Sequence, residues 1–105
     1  MTAAVEIDAA RFDALVAQAG LPVVADFWAP WCGPCRTMAP MFEQAAQRLA
    51  AEARFVKVNT DAEQALAARY NIRAIPTLVL FRNGQEVKRS SGAMDAGSLA
   101  RWIQT

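Results

Sequence analysis

The chain has 105 residues, of which 54% are apolar and 20% are charged, and its net charge is +1. This length allows one domain over residues 1–105 with an apolar core, and the composition excludes a disordered chain. The balanced charge provides no basic surface for nucleic acid or an anionic membrane. The sequence has neither an apolar run of bilayer length nor a recognisable signal peptide, so we expect a cytoplasmic protein that does not associate with membranes.

Two features of the composition narrow the chemistry further. The chain has no histidine, and its only two cysteines are Cys32 and Cys35. The lack of histidine excludes His-based general bases and triads, and two thiols alone complete neither a disulfide framework nor a zinc site. Any chemistry must therefore come from the cysteine pair, the carboxylates, the lysines or the hydroxyl groups.

Hydrophobic periodicity predicts nine elements in the order β-α-β-α-β-α-β-β-α. In chain order they are a strand at 5–7, a helix capped by Asp8, a buried strand at 23–29, a helix from about Cys32, a strand at 55–58, a short helix after Asp61, strands at 77–81 and 86–88, and a helix opened by Asp95. This order predicts an α/β fold in which helices cover both faces of a central mixed β-sheet.

Turn and capping signals set several boundaries. The apolar face of the first helix is predicted to extend to Ala19. Asp61 and Gln64 have the spacing of a capping box, which predicts that Asp61 caps the third helix. Asn83 and Gly84 between two apolar runs predict a tight hairpin. The first crossovers should therefore be parallel and the last pair of strands antiparallel.

The segment Trp31-Cys32-Gly33-Pro34-Cys35 follows a buried strand and opens a helix. Cysteines three residues apart on a helix lie within reach of a disulfide bond. The free N–H groups and the dipole at a helix N-terminus favour a thiolate at Cys32, whereas Cys35 should be shielded one turn deeper. The pattern predicts an exposed nucleophile beside a buried resolving thiol.

Other interpretations of the cysteine pair fit the sequence less well. The pair could form half of a zinc site, but the sequence has no further cysteine and no histidine to complete it. A haem attachment site would need histidine where Arg36 stands. A purely structural disulfide would gain little from a four-residue loop. A redox-active dithiol is therefore the favoured interpretation, with inert thiols as the alternative.

The residues from Asp26 to Arg36, together with Ile75-Pro76-Thr77 and Gly92, resemble thioredoxin, and the resemblance covers nearly the whole chain. Residues 55–60 are more similar to the second bacterial branch of that family, whose N-terminal zinc finger this chain lacks. The resemblance implies a thioredoxin fold and a general protein disulfide reductase that binds no metal and no cofactor, with a redox-active disulfide as its working group.

The resemblance also implies roles for four residues. Cys32 would attack the client disulfide, and Cys35 would resolve the mixed disulfide. Asp26 would be a buried carboxyl group that accepts the Cys35 proton, with Lys57 as its partner. The alternatives are an ordinary paired or solvent-facing carboxylate at Asp26 and a surface lysine at Lys57.

A client-binding surface is the last implication for the site. The resemblance implies a cis peptide bond before Pro76 in a loop that faces the cysteines, and Ile75 would pair through its backbone with an extended client segment. Core packing is the alternative for Trp31. The implied substrate-binding residues are Trp31, Gly33, Pro34, Ile75, Pro76, Gly92 and Ala93.

The implied partners are oxidised client proteins and a flavin-dependent thioredoxin reductase that uses NADPH, which would not bind this chain. We expect a monomer. Two rival functions are a disulfide oxidant or isomerase and a non-redox subunit that binds partners through the same surface. The Gly-Pro dipeptide between the cysteines favours the reductase.

Overall fold

The computed structural model describes residues 2–18 and 20–105. Its elements are β1 (Val5–Glu6), α1 (Ala9–Ala17), β2 (Val23–Trp28), α2 (Gly33–Arg48), β3 (Arg54–Asn59), α3 (Gln64–Arg69), β4 (Thr77–Arg82), β5 (Gln85–Ser91) and α4 (Ala96–Gln104). The nine predicted elements occur in the predicted order, and the expectation about Ala19 lies outside the described residues. No helix in the described ranges is long and apolar enough to cross a membrane.

The five strands form one mixed sheet in the order β1-β3-β2-β4-β5. β1 and β2 both run parallel to β3, whereas β4 runs antiparallel to β2 and to β5. β2 lies in the centre and is buried along its length, with only Trp28 partly exposed. A strand covered on both faces needs the near-continuous apolar run that the sequence has there.

Helices cover both faces of the sheet, as the alternation of side chains along each strand requires. On one face α2 and α4 supply Phe42 and Leu99, which pack into one cluster with Val24 of β2. On the other face α1 and α3 supply Phe12 and Leu66 to a second cluster. Burial of one such side chain contributes roughly 1.5–3 kcal/mol, so the two clusters hold the helices against the sheet.

The prediction that Asp61 caps α3 is wrong. The helix begins at Gln64, and its N-cap residue is Glu63, which makes no side-chain capping bond. The Asp61 carboxylate instead accepts a hydrogen bond from the Trp31 indole at 3.0 Å, and the Glu63 carboxylate accepts one from the Ala9 N–H at 3.0 Å. Tertiary partners therefore occupy both carboxylates that could have capped the helix.

The hairpin between β4 and β5 confirms the turn prediction. Asn83 and Gly84 have φ values of 53° and 81°, the left-handed conformation that a tight turn of this type requires and that these residues tolerate. β5 is longer than predicted, because it continues to Ser91 opposite Thr77. This extension brings Gly92 beside the loop that precedes β4.

Candidate active site

The cysteine pair lies at the junction of β2 and α2. Cys32 is the N-cap residue of α2, and Cys35 lies in its first turn, with a Cα–Cα distance of 5.3 Å across their disulfide bond. Pro34 stands among the first helical residues, where no intrahelical N–H bond is lost. The local sequence thus begins a helix and closes a disulfide ring in the same four residues.

The helix terminus acts directly on the sulfur of Cys32. The backbone N–H of Cys35 donates to Cys32 Sγ at 3.2 Å, so one of the free donors of α2 points at this sulfur. A free N–H group and the dipole at the N-terminus of a 16-residue helix are features that favour negative charge on a sulfur at this position. Cys35 lies within the first turn of α2, so its sulfur does not occupy the N-cap position.

The expected contrast in exposure between the two sulfurs is wrong for the oxidised form. Cys32 is 5% exposed and Cys35 is 2% exposed, so both residues are buried. Ala29, Trp28 and Ile75 pack around them. Side chains and a loop from distant parts of the sequence cause this burial, which helix position alone does not reveal.

The loop before β4 faces the disulfide. The Ile75–Pro76 peptide bond is cis, as the resemblance implied, and the Ile75 carbonyl oxygen lies 3.8 Å from Cys32 Sγ. The Gly92 N–H donates to the Pro76 carbonyl at 2.9 Å, and Gly92 has a φ of 101° that glycine adopts without strain. These contacts bring Ile75, Pro76 and Gly92 to the same end of the sheet as the cysteines.

Exposed residues surround the buried disulfide. The Trp31 side chain is 69% exposed, which excludes the core-packing alternative, and its indole N–H is held by Asp61. Gly33, Pro34 and Ala93 are also exposed. The surface that these residues line with Ile75 is partly apolar and has a fixed aromatic ring at its rim.

Asp26 is a buried carboxyl group, as predicted from its place in an apolar strand. It is 1% exposed, and neither carboxylate oxygen has a hydrogen-bond partner among the described residues. Burial raises the pKa of Asp26 from 3.8 to about 7, against an opposing effect of the Lys57 charge and with a smaller contribution from Glu6. Asp26 can therefore exchange a proton near neutral pH.

Lys57 lies opposite Asp26 in the register of β2 and β3, yet the expected close pair is not formed. Neither of the ion pairs found among the described residues involves Lys57 or Asp26. The Lys57 ammonium group lies over the Trp28 ring, 4.7 Å from its centroid. The sequence places the two charges on neighbouring strands, but the side-chain direction depends on an aromatic neighbour.

Two residues that contact the tryptophans of this region could not be predicted from the sequence. Glu6 accepts the Trp28 indole N–H at 3.1 Å, and Asp61 accepts that of Trp31. Glu6 belongs to no motif, and the capping-box spacing of Asp61 points to a different role, so only the fold brings the two carboxylates to the tryptophans. The one available signal for Glu6 was a charged residue in a predicted strand.

Comparisons with known proteins agree with this geometry. The thioredoxin family model matches residues 3–105. "Thioredoxin 1" of Synechococcus elongatus is 44% identical over 103 residues, covering 98% of this chain and 96% of that protein. "Thioredoxin" of Haemophilus influenzae is 41% identical with the same coverage. The crystal structure of a Malassezia sympodialis thioredoxin matches with a TM-score of 0.87 and 35% identity, covering 99% of this chain and 90% of that one.

Fold, cysteine geometry and relatives thus point to one chemistry. The mixed sheet with four helices is the thioredoxin fold, and the disulfide at the start of α2 is its redox-active group. The chain belongs to the thioredoxin family and is a protein disulfide reductase that acts by thiol–disulfide exchange.

Proposed function

We propose that Cys32 is the attacking residue and Cys35 the resolving residue of this exchange. The observation that carries the assignment is the 3.2 Å hydrogen bond from the Cys35 N–H to Cys32 Sγ at the N-terminus of α2. This bond favours the thiolate, which is the nucleophilic form, at Cys32 rather than at Cys35.

The reaction then has two displacement steps. The Cys32 thiolate attacks one sulfur of the client disulfide, forms a mixed disulfide and releases the other client sulfur as a thiolate. Cys35 gives its proton to the Asp26 carboxylate and attacks Cys32 Sγ, which releases the second client thiolate. The client gains two electrons, and the Cys32–Cys35 disulfide is the oxidised product.

The role of Asp26 in the second step is supported by its burial and its pKa of about 7. A carboxyl group with this pKa is half ionised at neutral pH, so it can accept the thiol proton and return it to solvent. Lys57 acts on this step by its charge, since it lies opposite Asp26 on the neighbouring strand without forming an ion pair with it among the described residues.

We propose that clients bind to the exposed residues around the disulfide. An extended client segment pairs with the backbone of Ile75, whose carbonyl lies beside Cys32 Sγ. The exposed Trp31 ring then covers apolar client side chains. Gly33, Pro34, Gly92 and Ala93 are exposed, and these small or rigid residues complete the surface by leaving room for the client backbone. Pro76 is buried, so it shapes the loop beneath the client rather than contributing exposed surface.

The proposed partners are oxidised proteins and a flavin-dependent reductase that passes electrons from NADPH to the disulfide. We assign the domain 1–105 to a monomer in the cytoplasm, a compartment whose thiols are kept reduced. Insulin reduction in the presence of such a reductase and NADPH tests the activity. A reduction potential above about −200 mV would instead identify a disulfide isomerase or oxidant.

Trapping experiments test the roles of the two cysteines. Cys35→Ser should accumulate covalent client complexes through Cys32, since the resolving thiol is gone, and Cys32→Ser should accumulate few. The measurement is non-reducing electrophoresis after incubation with an oxidised client, with the double variant as control. Equal trapping by both single variants would contradict the assignment.

A further inference from the structure

Three charged side chains form a row across the sheet. In the strand register Glu6 of β1 lies opposite Lys57 of β3, and Lys57 lies opposite Asp26 of β2. The row alternates negative, positive and negative, and it continues into Leu78 of β4. Because side chains alternate along strands, these residues share the sheet face that carries Val24, the face packed against α2.

The register alone would favour an ion pair between Lys57 and Asp26. Opposite charges on neighbouring strands normally pair, and a buried carboxylate without a partner is costly. Yet both oxygens of Asp26 lack hydrogen-bond partners among the described residues, and the Lys57 ammonium group lies 4.7 Å from the centroid of the Trp28 ring. A further contact must therefore stabilise the Lys57 ammonium group over the Trp28 ring rather than beside the Asp26 carboxylate.

Glu6 supplies the contact that fixes the ring. Its two carboxylate oxygens lie 3.1 Å and 3.3 Å from Trp28 Nε1 and accept the indole N–H. A carboxylate on the N–H edge holds the ring in one orientation and increases the electron density on its face, where a cation binds. Glu6 and Lys57 thus contact the same tryptophan from its edge and its face.

We propose that Glu6 is a positioning residue of the exchange reaction: through Trp28 it holds the Lys57 ammonium group on the indole ring and leaves Asp26 without an ion-pair partner beneath α2. The relevance to catalysis rests on the proposed proton transfer to Asp26. The charged groups that act on Asp26 are Lys57 on β3 and Glu6 on β1, while its β4 neighbour Leu78 carries no charge.

The experiment follows the titration of the Asp26 carboxyl carbon by NMR in the oxidised full-length chain. Glu6→Ala removes both the charge and the hydrogen-bond acceptor, so Lys57 becomes free to pair with Asp26. The midpoint should fall by about one pH unit or more, as an opposite charge in contact produces. Glu6→Gln keeps an acceptor for the Trp28 N–H and should shift the midpoint by less than half as much.

One control variant and one background variant test whether the shift comes from the contact of Glu6 with Trp28. Glu63→Gln is the matched control, because it removes a nearby carboxylate that contacts the Ala9 N–H and not Trp28, and it should leave the midpoint unchanged. In a Lys57→Met background, Glu6→Ala should shift the midpoint by at most half of its shift with Lys57 present. Equal shifts in Glu6→Ala and Glu6→Gln, no shift in either, or an undiminished shift without Lys57 would overturn the proposal.

A rate measurement separates this inference from the proposed function. The pH profile of mixed-disulfide resolution in Glu6→Ala should move to lower pH together with the Asp26 midpoint. If the midpoint moves as expected and the rate profile does not, the action of Glu6 on Asp26 stands and the proton-accepting role of Asp26 is overturned.

Discussion

Asp26 couples the stability of the fold to pH. The ordinary pKa of an aspartate is 3.8, and in the folded chain the pKa of Asp26 is raised to about 7 because burial disfavours the charged carboxylate. Between these two values the folded protein holds a proton that the unfolded chain releases. The free energy of unfolding therefore falls as pH rises from about 4 through about 7, and the stabilisation is fully present below that range.

Replacement of Asp26 should abolish this dependence. Asp26→Ala is expected to raise the free energy of unfolding by on the order of 4 kcal/mol at pH 8 and by less than half as much at pH 5, since each pKa unit corresponds to about 1.4 kcal/mol. The same variant should resolve mixed disulfides more slowly, because Cys35 loses its proton acceptor. Urea unfolding and stopped-flow reduction at both pH values are the measurements.

Asp26→Asn is the matched variant for this test, because it keeps the shape of the side chain and removes its ionisation. It should lose the same pH dependence. If both variants are less stable than the parent at pH 8 and equally fast, Asp26 is a satisfied structural carboxylate.

At the level of single residues, the sequence predicts what depends on local pattern. The identity of the cysteine pair and the burial of Asp26 follow from a motif at a helix start and a charge within an apolar strand. The burial of Cys32 and the direction of Lys57 do not, because the Ile75 loop and the Trp28 ring reach them from elsewhere in the fold.

Helix α1 shows how one capping residue sets an element. The Asp8 carboxylate accepts the Arg11 N–H at 2.9 Å, as the sequence predicted. The helix then places Phe12 in the core, where the aromatic rings of Phe12 and Phe81 meet edge to face at a centroid distance of 5.5 Å. The cap therefore fixes the start of a helix that holds one face of the sheet.

Loss of this cap should be measurable. Asp8→Ala is expected to lower the free energy of unfolding by about 1 kcal/mol, because a helix N–H group loses its acceptor. Asp8→Asn keeps an acceptor oxygen and should cost less than half as much. Chemical denaturation of both variants is the measurement, and equal losses would show that the charge of Asp8, and not its hydrogen bond, stabilises α1.

The third helix marks the limit of prediction at the scale of elements. Asp61 and Gln64 have capping-box spacing, but Asn59 accepts the Asp61 N–H at 2.9 Å and directs the Asp61 side chain away from the helix start, towards Trp31. The spacing of Asp61 and Gln64 in the sequence is the same whether Asp61 caps α3 or binds Trp31. The choice between them depends on a tryptophan 30 residues earlier in the chain.

For the whole molecule, the redox state changes stability. Closing a four-residue ring removes entropy from the unfolded chain, and this stabilises the oxidised form by about 2 kcal/mol. By linkage, a fold that favours its own disulfide makes the dithiol a stronger reductant, by roughly 40 mV. Denaturant melts of the oxidised and reduced forms test the prediction. A reduced form of equal or greater stability would contradict it.

The architecture as a whole could be predicted from the sequence, because element order and crossover rules leave few arrangements for three strand–helix units followed by a hairpin. The lengths of the two edge strands, β1 and β5, could not be predicted from the sequence. β1 ends after Glu6, although the pattern continues to Ile7, and β5 extends to Ser91, beyond the apolar run. Edge strands are limited by their partners rather than by their own periodicity.

The two borders of the sheet have a consequence for the clients of this protein. β1 offers another chain only a two-residue strand, and β5 presents the charged pair of Glu86 and Arg89 beside Lys88, with a bulge in its pairing after Leu80. Short, charged and irregular borders resist strand addition. Neither border should therefore accept a strand from another protein, so an exposed strand in a client would not extend this sheet.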